Sequence, residues 1–133
     1  MNHWSIVKQL LHLGAKPSGK EEWRSIMLYS NPSMLEALLK AGLKVNEKML
    51  EFAYMYAGIM FVDTLLKYGA NPNTVLKNGN TVLANEIDKG VAARIGVIKS
   101  LLKYGAHIDD DLIEAAKSKC KPNIVAALEW AKV

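Results

Sequence analysis

The sequence predicts an all-α chain, a solenoid of stacked helix–turn–helix pairs with one hairpin finger between Ala70 and Thr81. A Leu-Leu-x-x-Gly pattern ends at Gly14, Gly42, Gly69 and Gly105, which lie 28, 27 and 36 residues apart. Apolar residues at helical spacing precede each glycine, which predicts a short helix that ends there. Self-similarity at such a period is the signature of a repeat array, so we expect function on a surface.

Five such helices, the second helices of the pairs, are predicted from their apolar positions, and after the fifth Lys132 stands where the next glycine would fall. The positions are Ile6, Val7, Leu10 and Leu11; Met34, Leu35, Leu38 and Leu39; Phe61, Val62, Leu65 and Leu66; Val97, Ile98, Leu101 and Leu102; and Ile124, Val125 and Leu128. Four first helices are predicted between them, around Trp23 to Met27, Met49 to Ala57, Val82 to Asp88 and Leu112 to Ser118. Their start signals are Ser18 with Glu21, Asn46, Thr81, and Asp109 or Asp110, while Ser33 with Glu36 forms a capping box for a second helix.

Composition favours one domain spanning residues 1–133. Half of the residues are hydrophobic, and 17 Lys and Arg against 13 Asp and Glu give a net charge of +4, too small to indicate nucleic acid by itself. The single cysteine excludes an internal disulfide and favours a reducing compartment. Because no leader pattern and no long apolar run is present, we expect a cytoplasmic protein that does not enter a membrane.

Two motifs resemble the ankyrin-repeat family. Gly79-Asn80-Thr81-Val82-Leu83-Ala84 stands for the family's Gly-x-Thr-Pro-Leu-His turn, and Leu65 to Ala70 and Leu101 to Ala106 stand for its Leu-Leu-x-x-Gly-Ala helix end. The resemblance implies right-handed stacking of the helix pairs and a hairpin finger in the 36-residue unit. The other units are too short for a finger, so the array is degenerate and finger-poor.

This sequence departs from the ankyrin pattern in the unit that matches it best. Val82 replaces the family's proline, Ala84 its histidine, and Glu86 a position where a buried alanine is usual. We therefore expect part of the motif's hydrogen bonding to be lost. An insertion around residues 90–94 separates the two helices of the same unit.

The sequence offers little material for catalysis or metal binding. His3, His12 and His107 have no carboxylate or cysteine at ligand spacing, so we expect no catalytic residues, no metal and no cofactor. Cys120 lies between two lysines that favour a thiolate, but without a histidine base a plain turn thiol is the preferred interpretation.

The resemblance also places the binding surface. In the ankyrin family, the residues five and six positions after the inward residue of a first helix face the concave side. Taking Trp23, Met49, Leu83 and Leu112 as inward, these are Leu28 and Tyr29, Tyr54 and Met55, Asp88 and Lys89, and Lys117 and Ser118, with Tyr56 extending the row. The predicted protein-binding residues are Tyr29, Tyr54, Met55, Lys77, Asn78, Asn80, Asp88 and Lys89. Tyrosine and methionine are enriched at interfaces, yet an alternative stays open in which Tyr29 and Tyr54 lie in the core.

The resemblance implies a non-catalytic protein–protein interaction module, a small inhibitor or adaptor of the kind that viruses, phages and intracellular bacteria deploy against cellular proteins. The alternative is a helical-repeat nucleic-acid-binding protein that uses a lysine-rich face. That face comprises Lys99, Lys103, Lys117, Lys119 and Lys121. Because no aromatic residues lie between these lysines to stack on bases, a solvated surface is the preferred interpretation. Trp4 and Trp130 leave apolar ends, so we expect a monomer or weak self-association.

Overall fold

The computed structural model describes residues 23–29 and 31–132, and within them the chain is all-α, as predicted. The eight α-helices of this part are α1 (Trp23–Tyr29), α2 (Pro32–Lys40), α3 (Glu47–Phe52), α4 (Ile59–Lys67), α5 (Val82–Asp88), α6 (Ile95–Lys103), α7 (Asp110–Lys119) and α8 (Pro122–Lys132). A π-helix, Ala53–Ala57, follows α3 directly, and a 3₁₀ turn, Gly90–Ala92, lies between α5 and α6. The predicted helix over Ile6 to Leu11 and the Ser18 capping box lie outside the described residues.

The chain forms two compact units, Met1–Ala70 (unit 1) and Asn71–Val133 (unit 2). In unit 1, α1 packs on α2 and α3, and α4 packs on the same two helices. In unit 2, α5 packs on α6 and α7, and α8 packs on the same two helices. Within the residues that the structure describes, each unit thus contains two helix pairs in which a helix contacts its own partner and its counterpart in the other pair. The single domain over residues 1–133 stays a prediction.

Polar side chains start three of the described helices where the sequence predicted them. Asn46, Thr81 and Asp109 each accept a hydrogen bond from the backbone N–H three residues on, at 3.0, 3.1 and 2.8 Å. Such a cap satisfies one of the backbone donors that the first turn leaves without a helical partner. The starts of α3, α5 and α7 are therefore set by local sequence.

The capping box predicted at Ser33 and Glu36 is wrong. Asn31 caps α2 instead, accepting from the Met34 N–H at 3.0 Å, and proline takes the first turn of that helix. Glu36 accepts hydrogen bonds from Lys67 Nζ at 3.0 Å and from Tyr68 Oη at 2.9 Å. These bonds, the one from Lys67 first, hold the pKa of Glu36 below its ordinary value because they favour the carboxylate. The carboxylate links α2 to the end of α4.

The Leu-Leu-x-x-Gly pattern closes three helices by one hydrogen-bonding arrangement. The carbonyls of Leu38, Leu65 and Leu101 accept from the N–H five residues on, at 3.0, 2.9 and 3.0 Å. A bond of this span across a glycine is a Schellman helix end. Because the same three leucines are buried, the pattern anchors the core and stops the helix at one place.

Nearly all the predicted second-helix positions that the structure describes are buried. Leu35, Leu65, Ile98, Leu101 and Leu128 have no exposed surface, and only Leu102 and Val125 of the described set are half-buried. Burying side chains of this size contributes about 1.5–3 kcal/mol each. The helical spacing of the apolar residues was therefore a correct guide to the core.

The segment between Ala70 and Thr81 forms a short hairpin, the only β-bridge in the described part of the chain. Val75 and Thr81 form this isolated antiparallel bridge, with hydrogen bonds from Leu76 N to Asn80 O at 2.8 Å and from Val82 N to Thr74 O at 3.2 Å. Gly79 at φ +88° closes the turn, as expected for a three-residue hairpin loop. Ranges 42–46 and 105–109 contain no paired strand, as the prediction required.

Candidate functional site

The π-helix of unit 1 changes which side chains reach the surface. In it, the Gly58 N–H bonds to the Ala53 carbonyl five residues back at 2.9 Å, which accommodates one residue more than an α-helical turn. Tyr54 is consequently only 4 % exposed, whereas Met55 and Tyr56 are 52 % and 68 % exposed. The assignment of Tyr54 to an exposed patch is therefore corrected, and it occupies the core position that the sequence had left open.

In the helices that lack a π-turn, the described residues five and six positions after the inward residue are exposed. Leu28 on α1, Asp88 and Lys89 at the end of α5, and Lys117 and Ser118 on α7 are all exposed. Only after Met49 does the exposed pair move on by one residue, from positions 54 and 55 to 55 and 56. The side chain of Tyr29 lies outside what the structure describes.

An aromatic cluster fixes the base of the exposed residues. The rings of Trp23 and Phe52 meet edge to face at 5.6 Å, and the rings of Phe52 and Tyr56 lie 5.2 Å apart at a tilt of 52°. The Arg24 guanidinium lies 5.4 Å from the Trp23 ring and 5.7 Å from the Phe52 ring. Each aromatic pair of this kind stabilises the fold by about 0.5–1.5 kcal/mol beyond the effect of the area that it buries. Tyr56 is thus oriented by its neighbours although most of its surface meets solvent.

Four large apolar or aromatic side chains in the described part of unit 1 are exposed. We call them the methionine surface, and they are Leu28, Met55, Tyr56 and Met60. They lie on elements that pack together, since the π-helix contacts both α1 and α4. Met60, in the first turn of α4, is 67 % exposed. Neighbouring exposed apolar groups, unlike scattered single ones, are typical of interaction sites.

The predicted polar residues of unit 2 make contacts within their own unit. Asp88 Oδ1 lies 3.0 Å from Lys119 Nζ, and Lys89 Nζ lies 3.2 Å from a Glu86 oxygen. Asn78 donates through its amide to Asn85 at 2.9 Å. These side chains are exposed, but their polar ends already hold the unit together.

The remaining two finger residues differ in their roles. Asn80 is half-buried, its N–H bonds to the Asn78 side chain at 3.0 Å, and its carbonyl closes the hairpin. Lys77, at the turn, is exposed. Of the predicted finger residues, Lys77 is the one best placed to meet a partner.

A buried carboxylate in unit 2 is the site whose role sequence reasoning missed. Glu86 has no exposed surface and accepts from the Arg94 backbone N–H at 2.6 Å, from Nε at 3.2 Å and from Nη2 at 3.0 Å. Lys89 adds an ion pair to the same carboxylate. A buried charge is stable only when it is paired and hydrogen-bonded, and this one is. The one sequence signal that could have indicated this role is the insertion around residues 90–94, which closely follows Glu86.

The Glu86 contacts shape the insertion rather than build a reactive site. They tie the start of α6 back onto α5 and so close the segment from Lys89 to Arg94, whose 3₁₀ turn packs on α7. Gly90 lies against the Lys119 carbonyl, since a Cβ at that position would come within 3.1 Å of it. The segment is thus closed by the hydrogen bonds between Glu86 and Arg94.

Cys120 has the properties of a plain turn thiol. Its Sγ donates to the Ile87 carbonyl at 3.4 Å. Burial raises the pKa of the thiol, with the Glu86 charge acting in the same direction and Lys119 opposing both. A raised pKa lowers the thiolate fraction, which is the reactive form.

Among residues 23–29 and 31–132, no cluster of three His, Cys, Asp or Glu side chains is arranged to hold a metal ion. In the same part of the chain, no helix combines the length and apolarity needed to span a membrane. His107 is exposed, and its backbone N–H bonds to the Asn73 side chain at 2.7 Å.

The lysine-rich face carries acidic partners. Lys117 Nζ lies 3.4 Å from Glu114 and 3.7 Å from Glu129, and Lys119 pairs with Asp88. These carboxylates reduce the positive potential that a phosphate backbone would meet. The geometry thus gives less support to nucleic-acid binding than the count of lysines did.

Compared with protein-family models, with curated proteins and with solved structures, the chain matches none of them.

Proposed function

We propose that this chain is a non-catalytic protein–protein interaction module of ankyrin-like type, an inhibitor or adaptor, which binds its partner through the methionine surface of unit 1. The observation that carries the proposal is the exposure of Met55, Tyr56 and Met60 over an ordered aromatic base. Two features support the ankyrin-like assignment: the paired packing of helices inside each unit, and the hairpin before α5.

The composition of the methionine surface fits a protein partner. Tyrosine and methionine are over-represented at interfaces, and a tyrosine held by its neighbours loses little conformational entropy when a partner covers it. Unbranched methionine side chains adapt to apolar groups of different shapes. Full burial of a methionine side chain is worth about 1.5–3 kcal/mol, and since Met55 and Met60 are 52 % and 67 % exposed, a partner that covers them recovers roughly half to two-thirds of that for each. We therefore expect the partner to present an apolar segment with a polar rim.

The direct experiment is site-specific photo-crosslinking in an extract of the source cells. A photoreactive phenylalanine analogue replaces Tyr56 in one protein and Val91 in another, because Val91 is equally exposed but lies in unit 2. We expect a defined protein adduct, identified by mass spectrometry, from position 56 and none of the same mass from position 91.

Two results contradict the proposal. One is the absence of a protein adduct from position 56, and the other is the same adduct in equal yield from both positions. Nucleic acid recovered in the adducts instead of protein would favour the alternative based on the lysine-rich face.

A further inference from the structure

We propose that Met55 and Met60 are oxidation sites, and that their conversion to the sulfoxide switches off the methionine surface. The regulatory part of this inference rests on the proposed function, whereas the sites themselves do not. The observation behind it is an uneven distribution of sulfur. All six methionines lie within residues 1–60, and of the five that the structure describes, three are buried and two are exposed.

Accessibility separates the two groups of methionines sharply. Met27, Met34 and Met49 are at most 4 % exposed, while Met55 and Met60 are 52 % and 67 % exposed. An oxidant must reach the thioether sulfur, so the buried sulfurs react only when the unit opens. The two exposed sulfurs react in the native fold. Met1 lies outside the described residues and is not part of the inference.

The chemistry needs only a peroxide as oxidant. The sulfur lone pair attacks one peroxide oxygen, the O–O bond breaks, and the departing hydroxide takes the proton of the transferred oxygen to leave as water. The sulfur loses two electrons and becomes a sulfoxide, and the peroxide gains them. Enzymes that reduce methionine sulfoxide reverse the step.

The position of the two sulfurs determines the effect. They lie on either side of Tyr56 and Gly58, one in the π-helix and one in the first turn of α4. In the free protein a sulfoxide there remains solvated, so the fold is kept. In a complex the polar sulfoxide oxygen must lose its water against an apolar partner, which is costly without a hydrogen-bond donor. Oxidation therefore weakens binding selectively.

The first arm of the test needs no partner. The full chain is titrated with hydrogen peroxide, and each methionine is followed by peptide mass spectrometry. We expect sulfoxide at Met55 and Met60 to form about tenfold faster or more than at the three buried positions, which corresponds to an opening free energy of about 1.4 kcal/mol or more. Equal rates at all five positions, with an unchanged circular dichroism spectrum, would overturn the oxidation sites.

The second arm tests the switch. The position-56 photo-crosslink is measured before oxidation, after it, and after treatment with a sulfoxide reductase, in the wild type and in the variant Met55→Leu/Met60→Leu. That variant keeps the apolar surface without sulfur. We expect oxidation to abolish the adduct in the wild type, reduction to restore it, and the variant to retain it throughout. An adduct that survives oxidation overturns the switch but leaves the proposed function intact. A missing adduct in the reduced protein overturns the proposed function and the switch with it. In either case the peroxide oxidation rates decide whether Met55 and Met60 are oxidation sites.

Discussion

The two units join the helices of a pair in opposite ways. In unit 1, α3 runs into a π-helix and turns at Gly58 into α4, leaving Met55, Tyr56 and Met60 exposed. In unit 2, α5 turns through a 3₁₀ segment into α6, and the buried Glu86 carboxylate binds the start of α6 through Arg94. The joint between α3 and α4 in unit 1 therefore exposes apolar side chains. The joint between α5 and α6 in unit 2 uses its charged side chains for contacts within the unit.

The side chains at the two joints differ in how much they matter for the free energy of folding. Breaking a joint that is tied by a buried, paired carboxylate is destabilising, because removing either partner leaves a buried charge without compensation. A joint with exposed methionine and tyrosine contributes little to the free energy of folding through those side chains, since they stay in water. This contrast is why we propose partner binding at the exposed joint of unit 1, and a structural role for the charged groups in the joint of unit 2.

The largest expected effect comes from the feature that the two units share. Leu65→Ala in unit 1 and Leu101→Ala in unit 2 should each lower the free energy of unfolding by about 2–5 kcal/mol, because both leucines are fully buried beside a helix end. Denaturant melts measure this. If the free energy of unfolding is unchanged in either variant, that leucine lies outside the core and the two helix ends are not equivalent.

Breaking the tie in unit 2 should have the next largest effect. Arg94→Ala removes the guanidinium from Glu86 but leaves the backbone N–H of residue 94 and the pairing with Lys89. We expect a loss of about 2 kcal/mol in unfolding free energy, less than the roughly 3–5 kcal/mol of a fully broken buried pair. Hydrogen exchange over residues 89–94 should accelerate at the same time.

Lys117→Ala is the matched control for Arg94→Ala, since Lys117 makes ion pairs in the same unit with carboxylates that are more than half exposed. It should cost less than about 1 kcal/mol. If the two variants lose equal stability, Glu86 is not the element that holds the joint.

The joint of unit 1 depends instead on one backbone conformation. Gly58 has φ +112° and ψ 175°, a region that is almost confined to glycine, and a Cβ there would meet no atom within 4 Å. Gly58→Ala should therefore cost about 1–3 kcal/mol through backbone strain alone. D-alanine at position 58, introduced by chemical synthesis, favours positive φ and should restore the lost stability. Loss of stability with both enantiomers would indicate a steric cause instead.

The smallest effect concerns the Glu36 contact between α2 and the end of α4. Because hydrogen bonds lower the pKa of Glu36 in the folded protein, its contribution is present above the ordinary carboxyl pKa and is lost as the pH falls through the lowered value. Melting temperatures from about pH 7 to about pH 3 should show a steeper acid loss for the wild type than for Glu36→Gln. Identical profiles would show that Lys67 and Tyr68 do not stabilise the carboxylate.

Local chemistry made most of the fold predictable from the sequence. Asn46, Thr81 and Asp109 cap helices, and the glycines after Leu65 and Leu101 end them, through hydrogen bonds that span only three to five residues. Such signals do not depend on tertiary context. The Ser33 cap failed because Asn31 with a following proline is an equally local and stronger competitor.

The candidate site could be predicted only in part, because its register depends on packing. The π-turn inserts one residue into a helix, and the segment Ala53–Ala57 contains no Gly or Pro that would indicate the insertion; Gly58 marks only where the segment ends. The insertion exposes Tyr56 in place of Tyr54. The Glu86 network joins residues eight positions apart across a turn whose course the sequence did not reveal. The ankyrin resemblance described an alanine at position 86, so it gave no account of a carboxylate there.

We propose that a partner protein binds at the exposed joint of unit 1 and not at the tied joint of unit 2. The most direct measurement is the affinity of the crosslinked partner for Tyr56→Ala and for Val91→Ala, alongside the unfolding free energy of each. We predict that Tyr56→Ala weakens binding by about 2 kcal/mol or more, roughly 30-fold, while stability falls by no more than about 1.5 kcal/mol from the lost ring contact with Phe52. Val91→Ala should leave both quantities unchanged. Unaltered affinity in Tyr56→Ala, or an equal loss in Val91→Ala, would contradict the claim.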